Sequence, residues 1–213
     1  MSAESLQRTP EWYKKRLGKV TASKIDCLVK RQKDGKFYAS REEYKNQLIL
    51  EILTGEQLTG FTSAAMQHGI DTEDEAFDSY AKTVWATVSK ADFVIHPTIE
   101  RAGASPDGYV GDDGLIEIKC PNSYNHLDTL RRGTFDKKYH SQMQWQMACT
   151  GRKWVDFVSY DPRVPEAYRL FVDRVERDDL WISQANEMVD TFLKEVDEEI
   201  ARLHHKFEEK DEG

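Results

Sequence analysis

The stretch Ala104-Ser-Pro-Asp-Gly-Tyr-Val-Gly-Asp-Asp-Gly-Leu-Ile-Glu-Ile-Lys119 decides how the rest of the chain is read. Asp113-Gly114 is a pair that favours tight turns, and it separates Tyr109-Val110 from Leu115-Ile116-Glu117-Ile118, so the segment predicts a β-hairpin. Strand side chains alternate faces, which sets Glu117 and Lys119 on one side and points Ile116 and Ile118 into the core. Asp107, just before Gly108, opens the first strand and can meet those charges across the hairpin. Two carboxylates and one ammonium are therefore expected to emerge together from a rigid sheet.

Such a group suits hydrolysis of a phosphodiester. Two acidic side chains can hold one or two hard divalent cations such as Mg²⁺, which take few protein ligands and keep several waters. The cation polarises phosphoryl oxygens and acidifies a bound water, while a nearby lysine orients that water or offsets developing negative charge. The plainer alternative for Glu117 and Lys119 is an exposed ion pair on an ordinary hairpin. Pro106-Asp107 on the preceding strand favours the site.

Pro106-Asp107, nine intervening residues and Glu117-Ile118-Lys119 resemble the PD-(D/E)xK nuclease superfamily. Ser105-Pro106-Asp107-Gly108 followed by Glu117-Ile118-Lys119-Cys120-Pro121 narrows this to a resemblance to the phage lambda exonuclease family, the viral recombinase type of that superfamily. Further segments keep the family's order from Trp12 to Arg163. They are Trp12 with Arg16-Leu17-Gly18 and Thr21-Ala22-Ser23, Gly69 followed by Glu73, Gln142-Met143-Gln144, and Tyr160-Asp161-Pro162-Arg163.

The resemblance implies an α/β fold with a central mixed sheet flanked by helices and a restriction-endonuclease-like core. It implies a Mg²⁺-dependent 5′-to-3′ exonuclease that degrades one strand of double-stranded DNA from 5′-phosphorylated ends to 5′-mononucleotides. The 3′ overhangs so made serve recombination by strand annealing. Glu73, Asp107 and Glu117 would bind two Mg²⁺ ions, or Mn²⁺ in their place, helped by the carbonyl of Ile118, with Lys119 acting on the water. Arg16, Ser23, Ser105 and Gln142 would hold the terminal 5′-phosphate, and Met66 would wedge the duplex end apart. Partners implied are DNA ends, two further copies of the chain in a homotrimeric ring, and a single-strand annealing protein. The competing readings are a restriction-like or structure-specific endonuclease and a non-catalytic DNA-end-binding protein of the same fold.

Composition agrees with a globular protein. At 213 residues, 39% hydrophobic and 32% charged, the sequence fits a single nuclease domain over 1–213, with a C-terminal helix and short acidic tail from about residue 178. No apolar run reaches membrane-spanning length and the first residues lack the apolar core of a secretory signal, so a cytoplasmic protein without membrane contact is expected. Cys27, Cys120 and Cys149 are odd in number and far apart, which argues against a disulfide framework. The net charge of −8 is a property of the tail: residues 176–213 carry thirteen acidic and five basic side chains, leaving the remainder neutral. Residues 14–36 hold nine basic side chains against Asp26 and Asp34, enough to contact a phosphate backbone or simply to solvate a helix face. Within them, Lys30, Arg31 and Lys33 lie on a glycine-containing loop that can follow duplex DNA or be merely mobile.

Local signals place these residues. Thr9-Pro10-Glu11 starts a helix that Gly18 stops, and a short helix from Thr21 to about Val29 follows, so Arg16 and Ser23 flank a tight connection. There a guanidinium and a hydroxyl beside free amides can hold a phosphate, although as surface residues they need no such role. Ser40 and Glu43 read as a capping box opening a helix to Gly55, with Tyr44, Leu48, Ile49 and Ile52 as core. Thr62 to Lys82 is helical with a break near Gly69. Its stripe of Met66, Ile70, Phe77 and Tyr80 includes Glu73, a carboxylate that needs a partner there, either a core arginine or a cation; for Met66 ordinary core packing is the plainer role. Strands are expected at 84–88, 93–95, 153–160 and 168–175, and helices at 122–130 and 139–149, the second with Gln142 and Gln146 on one face. A final helix over 178–205 carries an apolar stripe from Ile182 to Leu203.

Overall fold

The protein is described by a computed structural model over residues 7–58 and 63–208. Its N-terminal half contains helix α1 (Pro10–Arg16), strand β1 (Val20–Thr21), a 3₁₀ turn (Ala22–Lys24), and helices α2 (Asp26–Val29), α3 (Ala39–Thr54) and α4 (Ala64–Ala81). Strands β2 (Val88–Lys90), β3 (Val94–Ile95), β4 (Ala102–Ala104), β5 (Gly108–Val110) and β6 (Gly114–Lys119) follow. Helices α5 (Ser123–Arg132) and α6 (His140–Thr150), strands β7 (Trp154–Tyr160) and β8 (Leu170–Glu176), and the long helix α7 (Asp179–Glu208) complete it.

The main sheet runs β2-β5-β6-β7-β8 and is mixed: β6 and β7 pair in parallel, the other neighbours antiparallel. A parallel pair at the centre of a sheet has to be covered on both faces. Helix α4 covers one face, where Ala76, Phe77 and Tyr80 meet Val110, Ile116, Ile118, Val158 and Tyr160. The other face, carrying Leu115, Val155 and Phe157, joins the larger core formed with Met143 and Met147 of α6 and Val189, Phe192 and Val196 of α7. A smaller sheet, β1-β4-β3, carries the N-terminal residues up to the edge of the site.

Double coverage decides against the plainer alternative of an exposed ion pair on an ordinary hairpin. Ile116 and Ile118 do point into the core beneath α4, but Glu117, on the opposite face beside Leu115, is only 1% exposed. Period-two alternation told the two faces apart, yet nothing in the hairpin announced that a second helix layer closes the polar one.

Three local expectations change for identifiable reasons. Helix α3 starts one residue before Ser40, with Tyr38 in extended conformation at the N-cap and no side-chain cap, so the capping box does not form. A bridge between Arg31 and Phe37 runs extended backbone up to that point and fixes the start. Ile52 is exposed, while Tyr44, Leu48 and Ile49 are buried as expected. Helix α4 runs without a break through Gly69, whose cost of about 1 kcal/mol relative to alanine is small within eighteen residues. Ser63 caps this helix by accepting from the Met66 N–H, and the predicted start at Thr62 lies outside the described residues, as does the acidic tail beyond Glu208. Strands β1 and β4 were not foreseen because two or three residues cannot display a period.

Two buried polar groups tie this frame together. Asp156 accepts from the Tyr80 hydroxyl at 2.7 Å and from Arg174 Nε and Nη2 at 2.7 and 2.9 Å, tying α4 and β8 to the central sheet. His126 is fully buried with its ring nitrogens on Ser159 Oγ and the Tyr168 carbonyl, which makes it structural. The stripe of α7 packs on the body: Phe192 is fully buried and stacks on Tyr44 with ring centroids 5.8 Å apart. Phe192→Ala should therefore destabilise the fold by about 3–5 kcal/mol, to be read from denaturant unfolding.

Candidate active site

Backbone pairing assembles the acidic centre. The Asp107 N–H donates to the Ile116 carbonyl at 3.2 Å, extending the hairpin by one residue, and Asp107 Oδ2 accepts from the Ile118 N–H at 2.6 Å. Asp107 is thus stitched to the strand that carries Glu117 and Lys119. Glu117 Oε1 accepts from Lys119 Nζ and from Gln142 Nε2 at 2.5 Å, and Oε2 accepts from Gln146 Nε2 at 2.5 Å. Both glutamines come from α6, one turn apart, so the shared face seen in the sequence is the face that meets Glu117.

Glu73 reaches the same region from α4, where its Oε2 accepts from Arg8 Nη2 at 2.6 Å. Arg8 was not singled out in the sequence. Among the described residues it is the non-glycine residue with positive φ, at 65°, a conformation costing on the order of 1 kcal/mol. The turn is anchored beside it by Gln7 Nε2, which donates to the Pro106 carbonyl at 2.9 Å, and by Thr9, which caps α1.

Next to the acids lies a cationic, hydroxyl-lined wall. Ser105 Oγ accepts from Trp12 Nε1 at 2.9 Å and from Arg16 Nη1 at 3.2 Å, so its own proton is what it has to offer an incoming oxygen. The Arg16 guanidinium lies 4.1 Å from the Trp12 ring centroid. Arg16, Ser23, Met66, Glu73, Ser105, Asp107, Glu117, Ile118, Lys119 and Gln142 all line one cavity of about 520 Å³. Lys30, Arg31 and Lys33 do not line it: Lys30 pairs with Asp26, Arg31 lies over the Phe37 ring, and Lys33 is exposed. Met66, 59% exposed at the rim, is not a core residue.

Charge in this cavity is strongly coupled. Burial, then Glu117 and Glu73, raise the Asp107 carboxyl well above the usual carboxylate range. Burial alone would lower the Lys119 ammonium, but Glu117 and Asp107 outweigh it and hold the group protonated. Among the described residues no three carboxylate, thiol or imidazole groups are gathered tightly enough to enclose a cation, because Glu73 is drawn to Arg8 and Glu117 to Lys119 and the glutamines. The donors nevertheless fit a hard divalent ion. They are all oxygens, and an acid whose protonation is favoured by two neighbouring acids gains most from a cation.

A mixed sheet between helices, with Asp107, Glu117 and Lys119 converging from its central hairpin, defines a PD-(D/E)xK-type nuclease fold. The chain belongs to the YqaJ-like viral recombinase family, whose domain matches residues 11–153. It is similar to an alkaline exonuclease, LHK-Exo, from Laribacter hongkongensis, at 45% identity and a TM-score of 0.87, covering 93% of this chain and 97% of that one. The same exonuclease, solved in complex with dAMP, matches equally well. A phage-related exonuclease from Haemophilus somnus 129PT shares the fold at 18% identity and a TM-score of 0.66, over 87% of this chain and 96% of that one. No curated protein matches the sequence. Homology to LHK-Exo over nearly its whole length makes the chain an enzyme of the same class, a DNA-degrading hydrolase.

Cys120 also lines the cavity, and burial together with Glu73 and Asp107 pushes its thiol up to about 12. At neutral pH that leaves roughly a thousandfold less thiolate than an ordinary cysteine. Mass spectrometry after timed iodoacetamide treatment should find Cys120 alkylated correspondingly slowly.

Proposed function

We propose that the protein is a Mg²⁺-dependent 5′-to-3′ exonuclease that starts at 5′-phosphorylated ends of double-stranded DNA, releases 5′-mononucleotides and leaves 3′ overhangs for strand annealing. The observation that carries this reading is the shared cavity: the acid and lysine group and the Arg16, Ser23 and Ser105 wall face the same space. A phosphate held at the wall sets which phosphodiester lies over the carboxylates, and such positioning is worth a large part of the barrier. Polarity then follows from end capture.

In this reading Glu73, Asp107, Glu117 and the Ile118 carbonyl hold the cation, one or two Mg²⁺ with Mn²⁺ as a substitute. When bound, it polarises the phosphoryl oxygens and acidifies an attacking water. Lys119, kept as an ammonium by its acidic neighbours, offsets charge developing on the phosphoryl group and helps place the water. Arg16 and Ser105 donate to the terminal phosphate, joined by Ser23 and by Gln142 when it turns from Glu117. In this reading Met66, exposed at the rim, parts the strands, and the basic 30–36 loop follows the duplex backbone. A homotrimeric ring around DNA and a single-strand annealing partner complete the proposal.

The test is digestion of a linear duplex labelled separately at each 5′ and 3′ end, with Mg²⁺ or a chelator, beside a closed circle. Loss of 5′ label as mononucleotide, with the circle untouched, is expected; nicking of the circle would instead indicate an endonuclease. Lys119→Ala should lower the cleavage rate by about 10²–10³-fold while DNA-end binding persists, because it removes an electrostatic contribution and no cation ligand. Arg16→Ala should lose most of the preference for 5′-phosphate over 5′-hydroxyl ends. A charged hydrogen bond of about 1.5–3 kcal/mol corresponds to roughly 10- to 150-fold in the ratio of initial rates at fixed salt.

A further inference from the structure

Glu117 has three protein donors, and they are divided unevenly. Oε1 accepts from Lys119 and Gln142, both of which line the cavity. Oε2 accepts from Gln146, which is fully buried one turn further along α6 and does not line the cavity. The two glutamines therefore hold different positions relative to substrate. If Gln142 lets go, Lys119 still holds Oε1; if Gln146 is removed, the described residues offer Oε2 no replacement.

The remaining chemistry of Gln146 is unfavourable for a residue that serves packing alone. Its own amide oxygen is buried with no hydrogen-bond partner among the described residues. An apolar side chain of the same length would avoid that desolvation, so the gain lies in the N–H it gives to Glu117. Helix α6 makes that N–H immobile. Met143, Trp145 and Met147 are fully buried, and Gln144 is fastened at both amide atoms, to the Glu176 carbonyl and the Asp178 N–H, each at 2.8 Å. Trp145 further stacks on His96 with ring centroids 5.0 Å apart.

We propose that Gln146 is a positioning residue for the hydrolytic site: it fixes the rotation of the Glu117 carboxylate, holding Oε2 against α6 so that Oε1 faces Lys119 and the cavity. Gln142 is then the exchangeable partner, able to trade Glu117 for a phosphate oxygen without loosening the carboxylate. This rests on the exonuclease reading for what the carboxylate does, but the clamp is a property of Glu117 itself. Groups that orient a metal-binding side chain from behind typically contribute 10–100-fold in metal affinity or activity.

Gln146→Met tests this, because it keeps the length and unbranched shape and removes the donor. The measurements are calorimetric titration of the full chain with Mg²⁺ or Mn²⁺ alone, kcat and KM on a 5′-phosphorylated duplex, end binding in chelator, and the melting temperature. A fall of about 10–100-fold in cation affinity or in kcat is expected, with KM and end binding in chelator within about twofold of wild type. Gln146→His, which retains an N–H at similar reach, should recover part of the loss. Wild-type cation affinity and kcat in Gln146→Met would overturn the assignment. So would a variant that loses end binding together with its melting transition, since Gln146 would then serve folding alone. If the wild type itself cleaves no duplex with any divalent cation, the exonuclease reading fails, and the titration with cation alone still decides the role of Gln146.

Discussion

A carboxylate with 1% exposure, placed between a sheet and a helix, is the constraint around which this protein is arranged. Glu117 cannot be buried there ionised unless donors come with it, since the desolvation of an unpaired charge exceeds what a small domain can absorb. The ammonium is supplied from its own strand by Lys119, and two amides are supplied by α6. This fixes the position of α6 on the sheet. The connection between the parallel strands β6 and β7 runs through α5 and α6.

The same requirement explains why the cavity carries nearly balanced charge. Glu73, Asp107 and Glu117 face Arg8, Arg16 and Lys119 across about 520 Å³. Each acid is engaged by a protein group, yet Asp107 remains strained electrostatically by its two neighbours. Arg8 contributes from a left-handed backbone conformation, anchored on either side by Gln7 and Thr9. Sites that must accept both a cation and a polyanion gain from holding these charges ready in low dielectric, where reorganisation is small.

Away from the cavity, the acidic C-terminal segment is tied down by arginines of the body. Arg41, buried and lying over the Phe37 and Phe192 rings, forms a two-pronged pair with Glu195 at 2.7 and 2.8 Å, and Arg101 pairs with Asp197. Part of the negative charge of α7 is thus consumed internally. The lysines and arginines of residues 14–36 stay mostly exposed. The overall charge of −8 is for this reason a poor guide to what the N-terminal surface can bind.

The sequence alone made the hairpin legible, because two-residue alternation is local, although the turn is Gly111-Asp112-Asp113, with Gly111 at positive φ and Gly114, already in β6, paired with Val110. It offered the candidate site residues, because Pro106-Asp107 and Glu117-Ile118-Lys119 form a pattern with an ordered set of companions. It also determined the ends of α1, α3 and α6, where Thr9, Gly55 and Gly151 act within a few residues of themselves. Tertiary structure decided the rest. Only the stacking of α6 on β6 showed that Glu117 is buried and that Gln146 holds it. Only the packing of β4 and the N-terminal turn brought Arg8, Trp12 and Arg16 to Glu73 and Ser105. These contacts join residues tens of positions apart, and their energies depend on burial and charge, which no local period in the chain records.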